Sequence, residues 1–263
     1  MATRYVRVCT PEGKIHYGIL QINRTVKVLD APPWLQGQPT ELELEPDRYR
    51  LLAPCSPSKV VAIGKNYVAH ATEMGSVVPP EPLLFLKPPS AIVANGDPIL
   101  YPPQSHRVDY EGELALVIGD RCTDCTPEEA AHKIWGYTIA NDVTARDLQK
   151  ASLGPWARAK GFDSFCPLGP WLVRELPTGA TLQTFLNDNP TAVQQTSIDQ
   201  MVYPPDVLVS YISQIMTLIP GDLVLTGTPE GVGPVTVGDR VRIEIEGIGS
   251  LENTVISRKS PKA

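Results

Sequence analysis

The sequence predicts an α+β chain that is mostly β, with a small N-terminal β domain over residues 1–55 and a larger domain over residues 56–263. Three observations carry that reading. The 27 prolines among 263 residues interrupt long helices and favour short strands joined by fixed turns. Alternating or continuously apolar runs of strand length recur along the chain. Only one clear amphipathic helix pattern is present, and strands do not alternate regularly with helices, which argues against a doubly wound sheet.

In the first part, Arg4–Cys9 alternates as a strand does, and residues 18–23 and 25–29 read as further short strands. Prolines and a glycine break the pattern over 31–38, and an acidic run follows over 41–47. Pro54 and Pro57 mark a boundary before the apolar run 59–63, which suits a buried strand. Residues 66–81 are short on apolar periodicity and read as one or two helical turns on a mobile loop. A strand over 109–118 begins polar and ends apolar. Thr126-Pro-Glu-Glu129 has the layout of a capped helix start, with Pro127 at the first helical position. A strand over 136–140 follows. The amphipathic helix begins after Pro204-Pro205 with Asp206 as its cap, and Leu208, Ile212, Ile215 and Ile219 recur at helical spacing up to Pro220-Gly221. Residues 222–255 return to strands, such as 240–246. No internal repeat or low-complexity segment interrupts the pattern.

Composition narrows the function classes. A formal net charge of -6 does not favour a nucleic-acid backbone. No run approaches the roughly 20 apolar residues that span a bilayer, and residues 1–10 lack a secretory pattern. The five cysteines do not form a disulfide framework, and the C-x-x-C of Cys122 and Cys125 has no second Cys or His pair to complete a zinc site. A cytoplasmic protein with neither nucleic-acid nor membrane partners is expected.

Several residues could carry chemistry. Glu111 and Glu113 lie two apart in a strand pattern, so both carboxylates would project from one face. Held close, they repel unless a cation lies between them, and carboxylate oxygens suit a hard divalent ion. Alternatively both face solvent. Asp142, at the end of the 136–140 strand, would be a third carboxylate, or a turn residue or helix cap. The segment from Arg146 to Gln149 is rich in donors for an anionic ligand. His70 and Glu73, three apart, would share one face of a helical turn, where the carboxylate orients the imidazole as a base. An exposed ion pair would have the same spacing. Lys87 and Lys160 sit among apolar neighbours, consistent with burial near a cleft or with snorkelling. The glycine-rich loop 226–234 lacks P-loop and dinucleotide signatures, but its N–H groups and Thr228 could cradle a carboxylate.

The order of these pieces is more specific than any one of them. Ile63-Gly-Lys-Asn-Tyr-Val-Ala-His70-Ala-Thr-Glu73 is followed by Phe85-Leu-Lys-Pro88 and Val108-Asp-Tyr-Glu-Gly-Glu-Leu-Ala115. Then come Gly136-Tyr-Thr-Ile-Ala-Asn-Asp-Val-Thr-Ala-Arg-Asp-Leu-Gln149 and Thr226-Gly-Thr-Pro-Glu-Gly-Val-Gly233. Over residues 57–255 the series resembles the fumarylacetoacetate hydrolase family, in particular its short acylpyruvase and oxaloacetate decarboxylase-like members. The resemblance implies a mixed β-sandwich roll in which Glu111, Glu113 and Asp142 hold one Mg²⁺ or Mn²⁺ per subunit. It implies that His70 and Glu73 activate water on a lid, and that Lys160 lies near the reacting carbonyl. Arg146, Gln149 and Thr228 match positions that hold substrate oxygens, and Lys87 is a further candidate there. A homodimer is implied as well.

The expected function is a divalent-metal-dependent enzyme that cleaves a carbon–carbon bond of small 2-oxo (β-diketo) acids through a stabilised enolate, as an acylpyruvate hydrolase or oxaloacetate decarboxylase. A keto–enol tautomerase or double-bond isomerase of 2-oxo diacids is the alternative, and a non-catalytic 2-oxo acid binding protein a further one. Three carboxylates, a divalent ion and an anionic substrate need nearby cations, which Arg146, Lys160 and Lys87 would supply.

Overall fold

The computed structural model describes residues 2–150 and 156–258. Strands Arg4–Cys9, Ile15–Leu20, Val26–Leu29 and Pro39–Leu44 pair antiparallel in sequence order, and Arg50–Leu52 pairs with the first of them. Val6, Val8, Val26, Val28 and Leu44 close a small core of their own. This unit also continues into the larger part of the chain, because Tyr5 registers opposite Leu172.

The sheet then runs through Cys166–Val173, Ile134–Asn141, Gly112–Ile118, Leu223–Leu225, Val60–Gly64 and Leu83–Lys87. Gly112–Ile118 is buried along its whole length. Its alternation is one of size: Leu114, Leu116 and Ile118 face one apolar cluster, whereas Ala115 and Val117 face another. A strand covered on both faces reads as continuously apolar for this reason. A five-stranded sheet (Gln194–Ser197, Thr181–Leu186, Arg240–Ile245, Gly249–Ser257, Ile99–Tyr101) packs against the first of those clusters. A three-stranded sheet joins Thr144–Ala145, Val108–Tyr110 and Gly233–Val235. Parallel pairs, such as Val224 with Val61 and Ile256 with Leu100, make the architecture mixed. The protein is therefore a mostly β, α+β chain. Among the described residues, no helix is long and apolar enough to cross a membrane.

Helix Pro127–Lys133 carries the capping box read from Thr126 and Glu129. Elsewhere the boundaries differ from expectation. The acidic run begins inside the strand Pro39–Leu44, where only Leu44 is buried and the acidic side chains point outward. The helix Pro205–Ser213 is capped by Pro204, with Asp206 inside its first turn. It also stops before Ile215 and Ile219, which are 55% and 38% exposed. The helical spacing is overridden there because Leu218 exchanges both of its backbone bonds with Cys122. The strand expected over 109–118 is interrupted at Glu111, where the chain leaves the three-stranded sheet for the main one.

Candidate active site

The interruption at Glu111 builds the site. The Glu111 N–H donates to Asn141 Oδ1 at 2.9 Å, and its carbonyl accepts from the Asp142 N–H at 2.9 Å. Gly112 lies opposite Asn141 and Glu113 opposite Ala140, so Asp142 emerges from the strand end beside Glu111. Glu111, Glu113 and Asp142 are all buried, and each offers an oxygen within 4.8 Å of the others. They converge because two antiparallel strands end together; strand periodicity of Glu111 and Glu113 alone does not account for it.

Cations surround one side of the trio. Lys160, the last residue of the helix Trp156–Lys160, donates to Glu111 Oε2 at 2.7 Å and also to Asp142 Oδ2, and its ammonium lies 4.9 Å from the centre of the Phe85 ring. Arg146 opens the helix Arg146–Lys150 and spreads its guanidinium over three partners. Its Nε donates to Asp109 Oδ2 at 2.8 Å, one terminal nitrogen donates to Gln149 Oε1 at 2.7 Å, and the other to Glu111 Oε1.

Lys87 departs from its expected place. It is fully buried and donates to Asp142 Oδ1 at 2.6 Å and to the Lys160 carbonyl at 2.7 Å. It does not line the cavity, so its charge reaches a ligand only through Asp142.

These surroundings split the two glutamates. Burial pushes the Glu111 carboxyl up, but the ammonium of Lys160 and the guanidinium of Arg146 outweigh it and hold it well below the usual range. Glu113 is raised well above that range by burial and by the charges of Asp142 and Glu111, which Lys160 and the Gly227 N–H only partly offset. Burial would lower Lys160, yet Asp142 and Glu111 hold it high. The Gly227 N–H reaches Glu113 Oε2 at 2.8 Å, and among the described residues nothing donates to the other Glu113 oxygen. Gly227 has a φ of 97°, and a Cβ there would meet the Asn66 side chain at 2.8 Å.

Across the cavity, His70 and Glu73 lie on the short helix Val68–Glu73. His70 Nδ1 faces Glu73 Oε2 at 3.3 Å, and the Glu73 carboxylate accepts from the Gly231 N–H at 3.1 Å. This ties the helix to the glycine-rich loop. The Thr228 hydroxyl, on the same loop, donates to the Gly112 carbonyl at 2.9 Å.

His70, Glu111, Glu113, Asp142, Arg146, Gln149, Lys160 and Thr228 thus share one cavity of about 190 Å³, completed by Ile63, Phe85 and Trp156 among others. Sites for drug-sized ligands run from roughly 300 Å³ upward, so this one suits a small molecule. Asp109 and Asn141 were missed in the sequence, since each acts on the site through a partner more than 25 positions away: Arg146 for Asp109, and Glu111 for Asn141.

The donor set fits a hard divalent ion. It is all oxygen, and it includes a carboxylate oxygen on Glu113 to which no described residue donates.

A family model described as fumarylacetoacetate (FAA) hydrolase C-terminal matches residues 59–256, and one described as Rv2993c-like, N-terminal matches residues 3–54. Protein Rv2993c of Mycobacterium tuberculosis is 50% identical over 81% of this chain and 80% of its own length. The mitochondrial oxaloacetate tautomerase fahd2 of Xenopus laevis is 43% identical over 78% of this chain and 68% of its own. Among solved structures, a 2-hydroxyhepta-2,4-diene-1,7-dioate isomerase from Mycobacterium marinum superposes with a TM-score of 0.88 at 41% identity, covering 98% of this chain and all of that one. A fumarylpyruvate hydrolase from Pseudomonas aeruginosa, in complex with Mn²⁺ and pyruvate, superposes at 0.72 with 36% identity over 80% of this chain and 92% of that one.

Proposed function

This chain belongs to the fumarylacetoacetate hydrolase family, and from that premise we propose that it moves a proton at the carbon next to the 2-oxo group of small 2-oxo diacids, as an enol–keto tautomerase of oxaloacetate-like substrates. One observation carries the reading: a buried, Glu73-oriented imidazole shares a cavity of about 190 Å³ with three converging carboxylates. A four-carbon acid suits that space better than a long acyl chain. The relatives that act on oxaloacetate and on an unsaturated 2-hydroxy diacid support proton movement as the common step.

Glu111, Glu113 and Asp142 would hold one Mg²⁺ or Mn²⁺, which supplies Lewis acidity toward the 2-oxo and adjacent carboxylate oxygens. The chain's own groups do the rest. His70 turns Nδ1 to Glu73, which leaves Nε2 to carry the proton between the substrate's enol oxygen and the adjacent carbon, taking it from one and delivering it to the other. Lys160 uses two of its three N–H groups on Glu111 and Asp142, leaving one for the oxygen where negative charge develops. Arg146 commits three of its five and keeps two for a substrate carboxylate. Asp109 holds the Arg146 plane in place, and Lys87 holds Asp142.

Acylpyruvate hydrolysis is the second reading, favoured by the His70–Glu73 pair, because an oriented imidazole at Nε2 can equally take a proton from water. Oxaloacetate decarboxylation has less use for that pair. A homodimer in the cytoplasm belongs to the same proposal.

The test follows the ultraviolet absorbance of enol-oxaloacetate, and separately pyruvate release from oxaloacetate and acetylpyruvate, with Mg²⁺, Mn²⁺ or EDTA. Metal-dependent decay of the enol without pyruvate is expected. Pyruvate from acetylpyruvate would make the protein a hydrolase, and pyruvate from oxaloacetate alone a decarboxylase. No turnover despite tight ligand binding would leave a binding protein.

A further inference from the structure

The two metal-facing glutamates flank Gly112, whose backbone is gripped on both sides. Its N–H donates to Gln194 Oε1 at 3.0 Å, and its carbonyl accepts from the Thr228 hydroxyl at 2.9 Å. Gln194 belongs to a different sheet, in the strand Gln194–Ser197, and is 1% exposed. Its Oε1 also accepts from the Thr184 hydroxyl at 2.9 Å, while its Nε2 donates to Thr228 Oγ1 at 2.8 Å and to the Pro229 carbonyl at 3.0 Å. All four of its hydrogen-bonding capacities are met. The amide cannot be turned around, since the Gly112 N–H can only donate and the Pro229 carbonyl can only accept. Only glycine fits between the glutamates, because a Cβ at position 112 would collide with the Thr184 hydroxyl and approach Gln194 Oε1 at 3.2 Å.

We propose that Gln194 is a positioning residue that sets the spacing of Glu111 and Glu113 through Gly112 and locks that spacing to Thr228 on the glycine-rich loop. Its two ends have separate tasks. The oxygen fixes the strand that carries the carboxylates. The nitrogen fixes the Thr228 hydroxyl, at the floor of the cavity, so that it donates to Gly112. Metal affinity and ligand affinity are therefore coupled through one side chain that touches neither. The inference rests on the metal reading of Glu111, Glu113 and Asp142 but on no particular reaction.

The experiment compares Gln194→Met, which removes both ends at similar volume, with Gln194→Glu, which keeps an acceptor for Gly112 and, ionised or protonated, loses at least one of the two donors. Mn²⁺ binding is measured by calorimetry, oxalate binding to the Mn²⁺-loaded protein as the probe of a planar 2-oxo acid, and the thermal midpoint in EDTA as the record of folding. Outer partners of metal ligands are typically worth about 10–100-fold in metal affinity, so Gln194→Met should weaken Mn²⁺ by about tenfold or more. Gln194→Glu should hold Mn²⁺ within about threefold of the wild type while oxalate weakens by about tenfold, the size of one lost hydrogen bond to a polar group.

A shift of the thermal midpoint in both variants with Mn²⁺ and oxalate affinities unchanged would reduce Gln194 to structural glue and overturn the proposal. If Gln194→Met does not fold, Gln194→Glu decides alone: unchanged oxalate affinity overturns the proposal, and selective loss supports it. A wild-type protein that fails to bind Mn²⁺ would instead overturn the metal reading.

Discussion

Glu111 and Glu113 stand two residues apart on the same stretch of backbone, yet they face opposite electrostatic worlds. Glu111 lies on the side where Lys160 and Arg146 converge, and its carboxyl is held well below the ordinary range. Glu113 accepts, among the described residues, only the Gly227 N–H, and with Lys160 acting on it without a hydrogen bond its carboxyl is raised well above that range. Desolvation is common to both, so the difference comes from the placement of charges brought in from helices and loops far along the chain. One side of the centre is balanced by the protein itself, whereas the other is balanced only when a cation arrives.

The strongest way to break that contrast is Glu113→Gln. Loss of the unbalanced carboxylate should remove Mn²⁺ binding in calorimetry and reduce metal-dependent turnover by about a thousandfold or more, as expected when a Lewis acid is lost. The EDTA-treated variant should melt no lower than the wild type, because an amide needs no countercharge. A substantially lower midpoint would mean that Glu113 is already balanced.

The opposite side is probed by Lys160→Met, which strands Glu111 and Asp142 without their shared ammonium. Breaking a buried pair costs about 3–5 kcal/mol, so chemical denaturation in EDTA should show a loss of that size, partly recovered with Mn²⁺. A loss below 1 kcal/mol, the scale of an exposed pair, would contradict the buried network.

His70→Ala lies outside the contrast and sharpens it. Turnover should fall about 10²–10⁴-fold, the range of a general base, while Mn²⁺ affinity stays unchanged. Glu73→Gln should cost less, about tenfold, since its contact to the imidazole spans 3.3 Å.

The pH dependence is the finest probe. The folded pKa of Glu113 is raised, so its contribution to stability is present below the unfolded value and is lost as pH rises through the folded one. Glu111 has the opposite sign: its contribution is present above the unfolded value and is lost as pH falls through its depressed folded pKa. The EDTA-treated protein should therefore lose melting temperature as pH climbs above the ordinary glutamate value of 4.5. The Mn²⁺-loaded protein should not. Mn²⁺ binding should release a proton in that window, visible as a buffer-dependent heat. Identical pH profiles with and without Mn²⁺ would remove the basis for the contrast.

How much of this was legible along the chain depends on the range of each interaction. The Thr126 capping box, the buried strand near Val60 and the short helix carrying His70 and Glu73 follow from neighbours within a few positions. Glu111, Glu113 and Asp142 were readable as candidates because each sits at a strand end with a recognisable pattern. The break at Glu111 was not, since it depends on Asn141 capturing its N–H across 30 positions. The end of the helix at Ser213 was equally hidden, because Leu218 leaves the helical pattern to pair with Cys122. Lys87 looked like a lysine near a cleft, and only its contact with Asp142 shows that it serves the carboxylates from behind.

By itself the sequence determined a mostly β chain, its apolar strands, its short capped helices and a roster of charged residues in a family-specific order. Those features depend on periodicity and on local hydrogen bonding, which repeat every two to four residues. The tertiary structure decided which of two similar glutamates is held low and which is raised, which lysine reaches the cavity, and that Gln194 grips the residue between the carboxylates from 82 positions away. Coulomb interactions and buried hydrogen bonds depend on distance through space and on the exclusion of water, and neither is set until the sheets have packed.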